Sequence, residues 1–421
     1  MSQDQCARRS LPDETQVAVV GAGLAGLSCA KVLQNNGVDC VVVEKSSVAG
    51  GKVRTDRVEG YVFDKGFQVY LNEYPMGKRM LDYTKLELRP FYKGLYIDSP
   101  SGQPRLVSDP LSTNLGFRDL PQLLSPTDIA ALVKAFISSY RNGNSSTDAV
   151  LSRFSSASRL RRSVAEPFLK AVYLDDELRY PISFTNFLIK VFGRGGASIP
   201  ALGMDMIPKQ FASSLNEQIF LEQEVVQISS DGVTMNSGER IKAQCVVVAT
   251  DATTARRLIP GSLQQIDYSS VGYMYLRTKE RPLGHQAVYV PSVNKGPILT
   301  TCVMSDVSIY YAPKDTHLIS VSYRPNASPE DVKNQLNRVF GTQTKSWEEL
   351  QSGTVSASLP KVFGQALQLA KGPLVAKNVV LAGDYLESPS IDGAFASGVR
   401  AAKTALTIVT GRGVAGEVKV K

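Results

Sequence analysis

The sequence predicts an α/β protein in two interleaved parts: a discontinuous nucleotide-binding domain, and an α+β substrate domain made of a helical insertion and a mixed sheet. Three observations carry this. A strand, a glycine-rich turn and a helix open the chain, and a second buried strand follows at once. Another buried strand ending in Gly383-Asp384, then a helix, lies near the C-terminus. Between these α/β pieces the pattern turns first helical and then β-rich, so the nucleotide-binding part must be assembled from distant stretches.

Residues 17–20 form the first apolar strand, followed by Gly21-Ala22-Gly23-Leu24-Ala25-Gly26. Helical periodicity runs from about residue 24 to 36 and stops at Gly37, a residue suited to ending a helix. Residues 38–44 read as the second strand, which completes a βαβ opening of the length that motif requires. Residues 120–196 are largely helical. The clearest helix there starts at Ser125-Pro126-Thr127-Asp128, with a capping serine, an N1 proline and a first-turn acid. Ile129, Leu132, Val133, Phe136, Ile137 and Tyr140 recur behind it at helical spacing. That stripe reads first as core-facing and secondarily as a membrane-surface helix.

Strand patterns return over 225–251, with turns at Asp231-Gly232 and Asn236-Ser237-Gly238, and 244–250 is buried. Runs at 271–276, 287–290 and 318–323 suggest an antiparallel sheet, 331–340 a short helix, 378–382 a buried strand and 393–409 a final helix. The expected boundaries are 14–75, 200–265 and 370–412 for the nucleotide-binding domain, and 76–199 with 266–369 for the substrate domain.

Composition narrows the function classes. The chain has 421 residues, 43% of them apolar and 20% charged, as in ordinary globular proteins. Its formal charge of +8 is scattered, the densest cluster being Arg153, Arg159, Arg161 and Arg162, and no nucleic-acid motif accompanies it. A solvated face is the first reading of that cluster; a patch for anionic membranes or acidic ligands is the second. The five cysteines have no CxxC spacing, which points to a reducing compartment without disulfides or zinc. With two distant histidines, no metal site is expected. No apolar run is long enough to span a membrane. The polar start with Arg8 and Arg9 lacks a secretory core. The expected location is cytoplasmic, or organellar (plastid) if that start is the remnant of a processed targeting segment.

The chemistry resides in three segments. In Gly21-x-Gly23-x-x-Gly26 the first glycine permits a tight turn, the second lets amides approach a pyrophosphate, and the third lets the helix pack on the strand. The amides of Leu24 and Ala25, at a positive helix terminus, face the phosphates. Glu44, closing the second strand, can accept hydrogen bonds from an adenosine ribose and would repel a 2′-phosphate. Next comes Gly50-Gly51-Lys52-Val53-Arg54-Thr55, whose glycines and cations suit close passage along a pyrophosphate and a flavin. The third segment is Gly383-Asp384-Tyr385 followed by Ser390-Ile391-Asp392-Gly393-Ala394. There Asp384 is placed for a ribityl hydroxyl, and a helix start near Gly393-Ala394 for the flavin N1 and O2 edge. Together they predict a Rossmann-like FAD-binding domain.

These blocks, in this order and spacing, resemble the flavin-containing amine oxidase superfamily, nearest its phytoene desaturase-like branch, over nearly the whole chain. The segments from Pro200-Ala201-Leu202-Gly203-Met204 to Pro208, Asp64-Lys65-Gly66-Phe67-Gln68 and Val246-Val247-Val248-Ala249-Thr250 are similar too. The resemblance implies FAD, with Val225 or Val226 making backbone contacts to adenine, Thr250 near the cofactor, and Lys45 and Ile391 within the binding segments. Lys52 stands where the family usually has arginine, so a forked phosphate contact becomes a point charge. No cysteine follows Cys302 to form a thioether near the C-terminal motif, so FAD is expected to be non-covalent.

The expected reaction is hydride transfer from a C–H or C–N–H group of a small-molecule substrate to flavin N5, with oxygen, a quinone or another acceptor taking the electrons on. No general base is assigned; Lys52, Lys65, Tyr70, Tyr92 and His285 each read first as structural. Three classes stay open: an oxidase of small amines, a desaturase of apolar isoprenoid-like molecules in peripheral contact with a membrane, and a flavin-binding protein with a redox-neutral isomerase or assembly role. Substrate, acceptor and oligomeric state are not legible.

Overall fold

The computed structural model describes residues 10–108, 126–128, 143–155, 158–215, 218–292, 295–363, 373–411 and 419–420. The helix expected to follow Ser125 lies outside them apart from residues 126–128, as does Cys6.

The valine-rich strands assemble first. Ile219–Phe220, Cys40–Val43, Glu14–Val20, Arg240–Val248 and Val379–Leu381 lie side by side and parallel in an eight-stranded sheet. Their unbroken apolar runs reflect burial on both faces. Val17, Val19, Cys40, Val42, Cys245 and Val247 point to the helices Leu24–Asn35 and Ile391–Thr410, whereas Val20, Val41, Val43, Val246 and Val248 join a second core. Gly232–Met235 and Val225–Ser229 extend one side as an antiparallel meander. All three expected pieces thus contribute to this sheet.

The second large sheet has seven strands, in the order Glu348–Pro360, Tyr268–Thr278, His317–Tyr323, Ile298–Val303, Val288–Tyr289, Gly94–Asp98 and Pro104–Ser108. It is antiparallel except where Val288 and Tyr289 pair in parallel with Leu95 and Tyr96. The sequence places this sheet in one insertion, whereas both supply strands. The strand Glu348–Pro360 is not apparent in the sequence, because its alternating exposure puts hydrophilic side chains on one face. The helix Pro329–Phe340 packs on one face through Val332, Leu336 and Val339. From the other face Tyr273, Tyr275, Leu318 and Cys302 join the core that lies against the nucleotide-binding sheet.

A small sheet of Tyr70–Leu71, Ala197–Pro200 and Leu88–Pro90 stitches across the expected boundaries at 75/76 and 199/200. Among the described residues no helix is long and apolar enough to cross a membrane, and no group of three or more potential metal ligands occurs. Cys29, Cys40, Cys245 and Cys302 are buried and unpaired, and burial pushes their thiol pKa values up.

Candidate functional site

The cradle forms where the first strand meets its helix. Gly21 has φ +103°, and a Cβ there would sit 2.8 Å from the Ala249 carbonyl oxygen at the end of the neighbouring strand. A Cβ on Gly26 would collide with the Gly21 carbonyl oxygen. The helix Leu24–Asn35 starts at Gly23 with no side-chain cap and no acid in its first turn. Its leading amides are therefore free of side-chain competitors, as an anion site requires.

The second glycine segment lies on the first. Gly50 pairs with Gly23 as an isolated parallel bridge, Gly50 N donates to Ala22 O at 2.8 Å, and a Cβ on Gly51 would be 3.0 Å from Gly23 Cα. Val53 is buried beside them. Arg54 Nε is buried and finds no hydrogen-bond partner among the described residues. An orphaned cationic donor in a segment whose glycines touch the uncapped helix terminus fits a bound phosphate, since burying it unpaired is costly.

Glu44 is buried, with Oε2 accepting from Ala22 N at 2.8 Å and Oε1 from Ser46 N at 2.9 Å. These two bonds fix the carboxylate and leave lone pairs for ribose hydroxyls. Next to it an open cleft of about 610 Å³ is lined by Lys45, Ser46, Glu222, Gln223, Glu224, Met235, Asn236 and Ser237. It has room for the adenosine end of a dinucleotide. Val225 is buried at this corner and Val226 exposed, at a shift of register between strands. Thr250 follows the Arg240–Val248 strand, and its neighbour Asp251 caps the next helix.

The C-terminal segment closes the cradle. Gly383 N donates to Ser397 Oγ at 2.9 Å, and Lys52 Nζ lies 2.7 Å from Asp384 Oδ2. The final helix starts earlier than its glycine suggested: Ser390 caps it by accepting from Gly393 N at 2.9 Å, so Ile391 begins the helix and Gly393 and Ala394 lie in its first turn. Asp392 faces away from this role. Its Oδ1 accepts from Met76 N at 2.7 Å and Gly77 N at 3.0 Å, capping the helix Pro75–Met80, and burial raises its pKa. Nothing near Asp392 in sequence announces those partners.

A buried carboxylate ties the cradle to a turn of the substrate domain. Asp64 accepts from Thr55 Oγ1 at 2.6 Å, Met204 N at 2.9 Å and Tyr311 Oη at 2.7 Å, and burial pushes its pKa up to about 6. Gly203, with φ +114°, approaches so closely that a Cβ would be 2.8 Å from Thr55 Cγ2. Asp205 takes a two-point contact from Arg57 at 2.7 and 2.8 Å, and Lys209 adds a third bond at 2.6 Å. Burial opposes the Asp205 charge, but these cations hold its carboxyl below the usual range.

The residues considered as bases are occupied. Lys65 is ion-paired with Asp56. The Tyr70 hydroxyl lies 2.9 Å from that of Tyr83, and burial raises its pKa. Tyr92 Oη is 2.8 Å from Ser108 Oγ, with its ring against His285. In the arginine cluster Arg161 is paired with Glu166, and Arg153 and Arg159 are exposed.

Three glycine-bearing segments thus form a cradle of the dinucleotide-binding type, set against a separate sheet. The sequence profile described as "Flavin containing amine oxidoreductase" matches residues 24–406. The chain belongs to that family. It is 38% identical to the 15-cis-phytoene desaturase of Synechococcus elongatus over 79 residues, which span 18% of this chain and only 17% of that protein. It is 23% identical to an L-amino-acid oxidase of Bothrops moojeni over 460 aligned positions, covering 92% and 88% of the two chains. Among solved structures, an oxidoreductase from Methanosarcina mazei superposes with a TM-score of 0.68 at 18% identity, covering 91% of this chain and 99% of the other. Putrescine oxidase bound to putrescine gives 0.65 at 16% identity, covering 94% and 99%. At these identities the likeness establishes the fold.

Proposed function

We propose that this FAD-dependent oxidoreductase takes a hydride from a C–H bond of an apolar small molecule, the companion proton leaving to solvent. Bound FAD, held non-covalently, would supply the hydride acceptor at N5. Gly21, Gly23, Leu24, Ala25 and Gly26 would hold its phosphates with Gly50, Gly51, Lys52, Val53 and Arg54. Glu44, Lys45, Val225, Val226 and Thr250 would hold the adenosine side, and Gly383, Asp384, Ile391, Gly393 and Ala394 the flavin side.

One observation carries the choice of an apolar substrate: the acids of the cradle and Lys52, Lys65 and Arg57 are already engaged within the protein, and the unpaired Arg54 Nε is left for the phosphates. Asp64, Asp205, Asp384, Asp392 and Glu44 each accept protein hydrogen bonds, and Lys52, Lys65 and Arg57 each have an acidic partner. An ammonium or carboxylate substrate would need a charge that is not so engaged. The local likeness to a phytoene desaturase supports the same reading. So do exposed apolar side chains suited to a membrane surface, Val58, Leu202, Ile309 and Tyr310. Their segments are joined by Arg57 to Leu202 O at 2.6 Å and Ser308 Oγ to Ala201 O at 2.7 Å.

Anaerobic bleaching of the flavin absorbance, compared across polyenes, amines and amino acids, tests the assignment. Bleaching by polyenes is expected. Bleaching by amines alone would overturn the substrate class, and bleaching by none would favour a redox-neutral role.

A further inference from the structure

Lys52 joins three parts of the molecule. Its ammonium sits 2.7 Å from Asp384 Oδ2 and 4.9 Å from the centre of the Tyr268 ring. Tyr268 begins the substrate-sheet strand that pairs with Pro360, and its hydroxyl accepts from Ala252 N at 2.8 Å. The backbone of Lys52 is held separately, its carbonyl accepting from Gln68 Nε2 at 3.0 Å. Lys52 lies one residue past Gly51, where the two glycine segments touch, within a side chain's reach of the uncapped helix terminus at Gly23.

Two anions can claim this ammonium: the Asp384 carboxylate and, on the flavin-binding reading, the diphosphate of a dinucleotide. The pair is not sealed, since the Lys52 side chain is 35% exposed and that of Asp384 17%. A partly exposed pair of this kind is weak enough to be exchanged. Lysine suits such exchange, because it offers a point charge on a rotatable stem, whereas a guanidinium would fork onto the carboxylate.

We propose that Lys52 is an exchangeable clamp. Without cofactor its ammonium is parked on Asp384 and against Tyr268; with cofactor it moves to the diphosphate and frees Asp384 to accept from a ribityl hydroxyl. Binding at the phosphates then also releases the contact to the first residue of the substrate-sheet strand. This rests on the flavin-binding reading above.

A double-mutant cycle tests it with two ligands. ADP carries the diphosphate without a ribityl chain, and its affinity for the flavin-free full-length chain is measured by titration calorimetry. FAD release from the loaded protein is followed by recovery of free-flavin fluorescence. Asp384→Asn is expected to tighten ADP about three- to fivefold, the factor such an ion pair is worth, while speeding FAD release. Lys52→Met is expected to loosen ADP, and adding Asp384→Asn to it to restore little. A fixed structural bridge predicts the same direction for both ligands. The clamp is overturned if Asp384→Asn weakens ADP, or if it tightens ADP equally without Lys52. Asp384→Ser repeats the cycle if the asparagine variant does not fold. A wild-type chain that binds no FAD removes the flavin reading and the clamp together; FAD binding with no Lys52–Asp384 coupling removes only the clamp.

Discussion

Tyr311 donates a 2.7 Å hydrogen bond to Asp64 across 247 positions of sequence, joining a turn of the substrate domain to a carboxylate that is 1% exposed. Thr55, in the segment expected to pass the flavin, and the Met204 amide reach the same carboxyl. Asp64 is thus a fastening point, and its burial has a measurable consequence.

Burial raises the Asp64 pKa from 3.8 to about 6, so the folded chain holds this proton more tightly than the unfolded one. Its contribution to stability is complete below the unfolded pKa and is lost as pH rises through about 6. Asp64→Asn resembles the protonated form and should escape that loss. Relative to wild type, its unfolding free energy should improve between pH 4 and 6 by about 2 kcal/mol. Urea melts across this range check it; a difference that stays flat would show that Asp64 titrates normally.

Gly398 brings the last helix against the first. A Cβ there would collide with the Ala25 carbonyl oxygen and the Ser28 hydroxyl. Gly398→Ala should cost about 1–3 kcal/mol through overpacking and weaken FAD binding by displacing the helix that opens the phosphate site. Gly193 lies inside a helix with open space around it, so Gly193→Ala should stabilise by about 0.5–1 kcal/mol. Thermal melts of both variants distinguish close approach from helix propensity.

Replacing Glu44 by Gln turns an amide donor toward Ala22 N or Ser46 N, each of which already donates. The mispaired contact and the weaker ribose acceptor should raise the FAD dissociation constant about tenfold or more. Quenching of flavin fluorescence reads this directly. An unchanged constant would place the ribose elsewhere.

If the flavin is held without a covalent bond, acid or guanidinium should carry the yellow colour into the supernatant. Colour remaining in the pellet would mean a covalent link.

If the exposed apolar side chains meet a bilayer, Ile309→Glu should reduce co-sedimentation with liposomes while leaving FAD content unchanged. Equal sedimentation of variant and wild type would remove that surface from the account.

Much of the nucleotide-binding half is legible because its physics is local. Gly21, Gly23 and Gly26 answer to a turn and a helix within a few residues, and the parallel strands announce themselves by continuous valine. The remainder depends on contacts between distant residues. Asp392 reads as part of a flavin motif yet serves the amides of Met76 and Gly77. Asp64 gives no local sign of Tyr311, and Lys52 none of Tyr268. The Glu348–Pro360 strand hides behind its hydrophilic face, and the pairing of Gly94–Asp98 with Val288–Tyr289 spans nearly two hundred residues.

That last pairing constrains how the protein can be rebuilt. Removing residues 94–108 would strip two strands and leave the short Val288–Tyr289 strand as a raw margin, open to adhesion between molecules. Chimeras made to alter substrate choice should therefore transplant both inserted stretches as a matched set, since neither half alone forms a finished sheet.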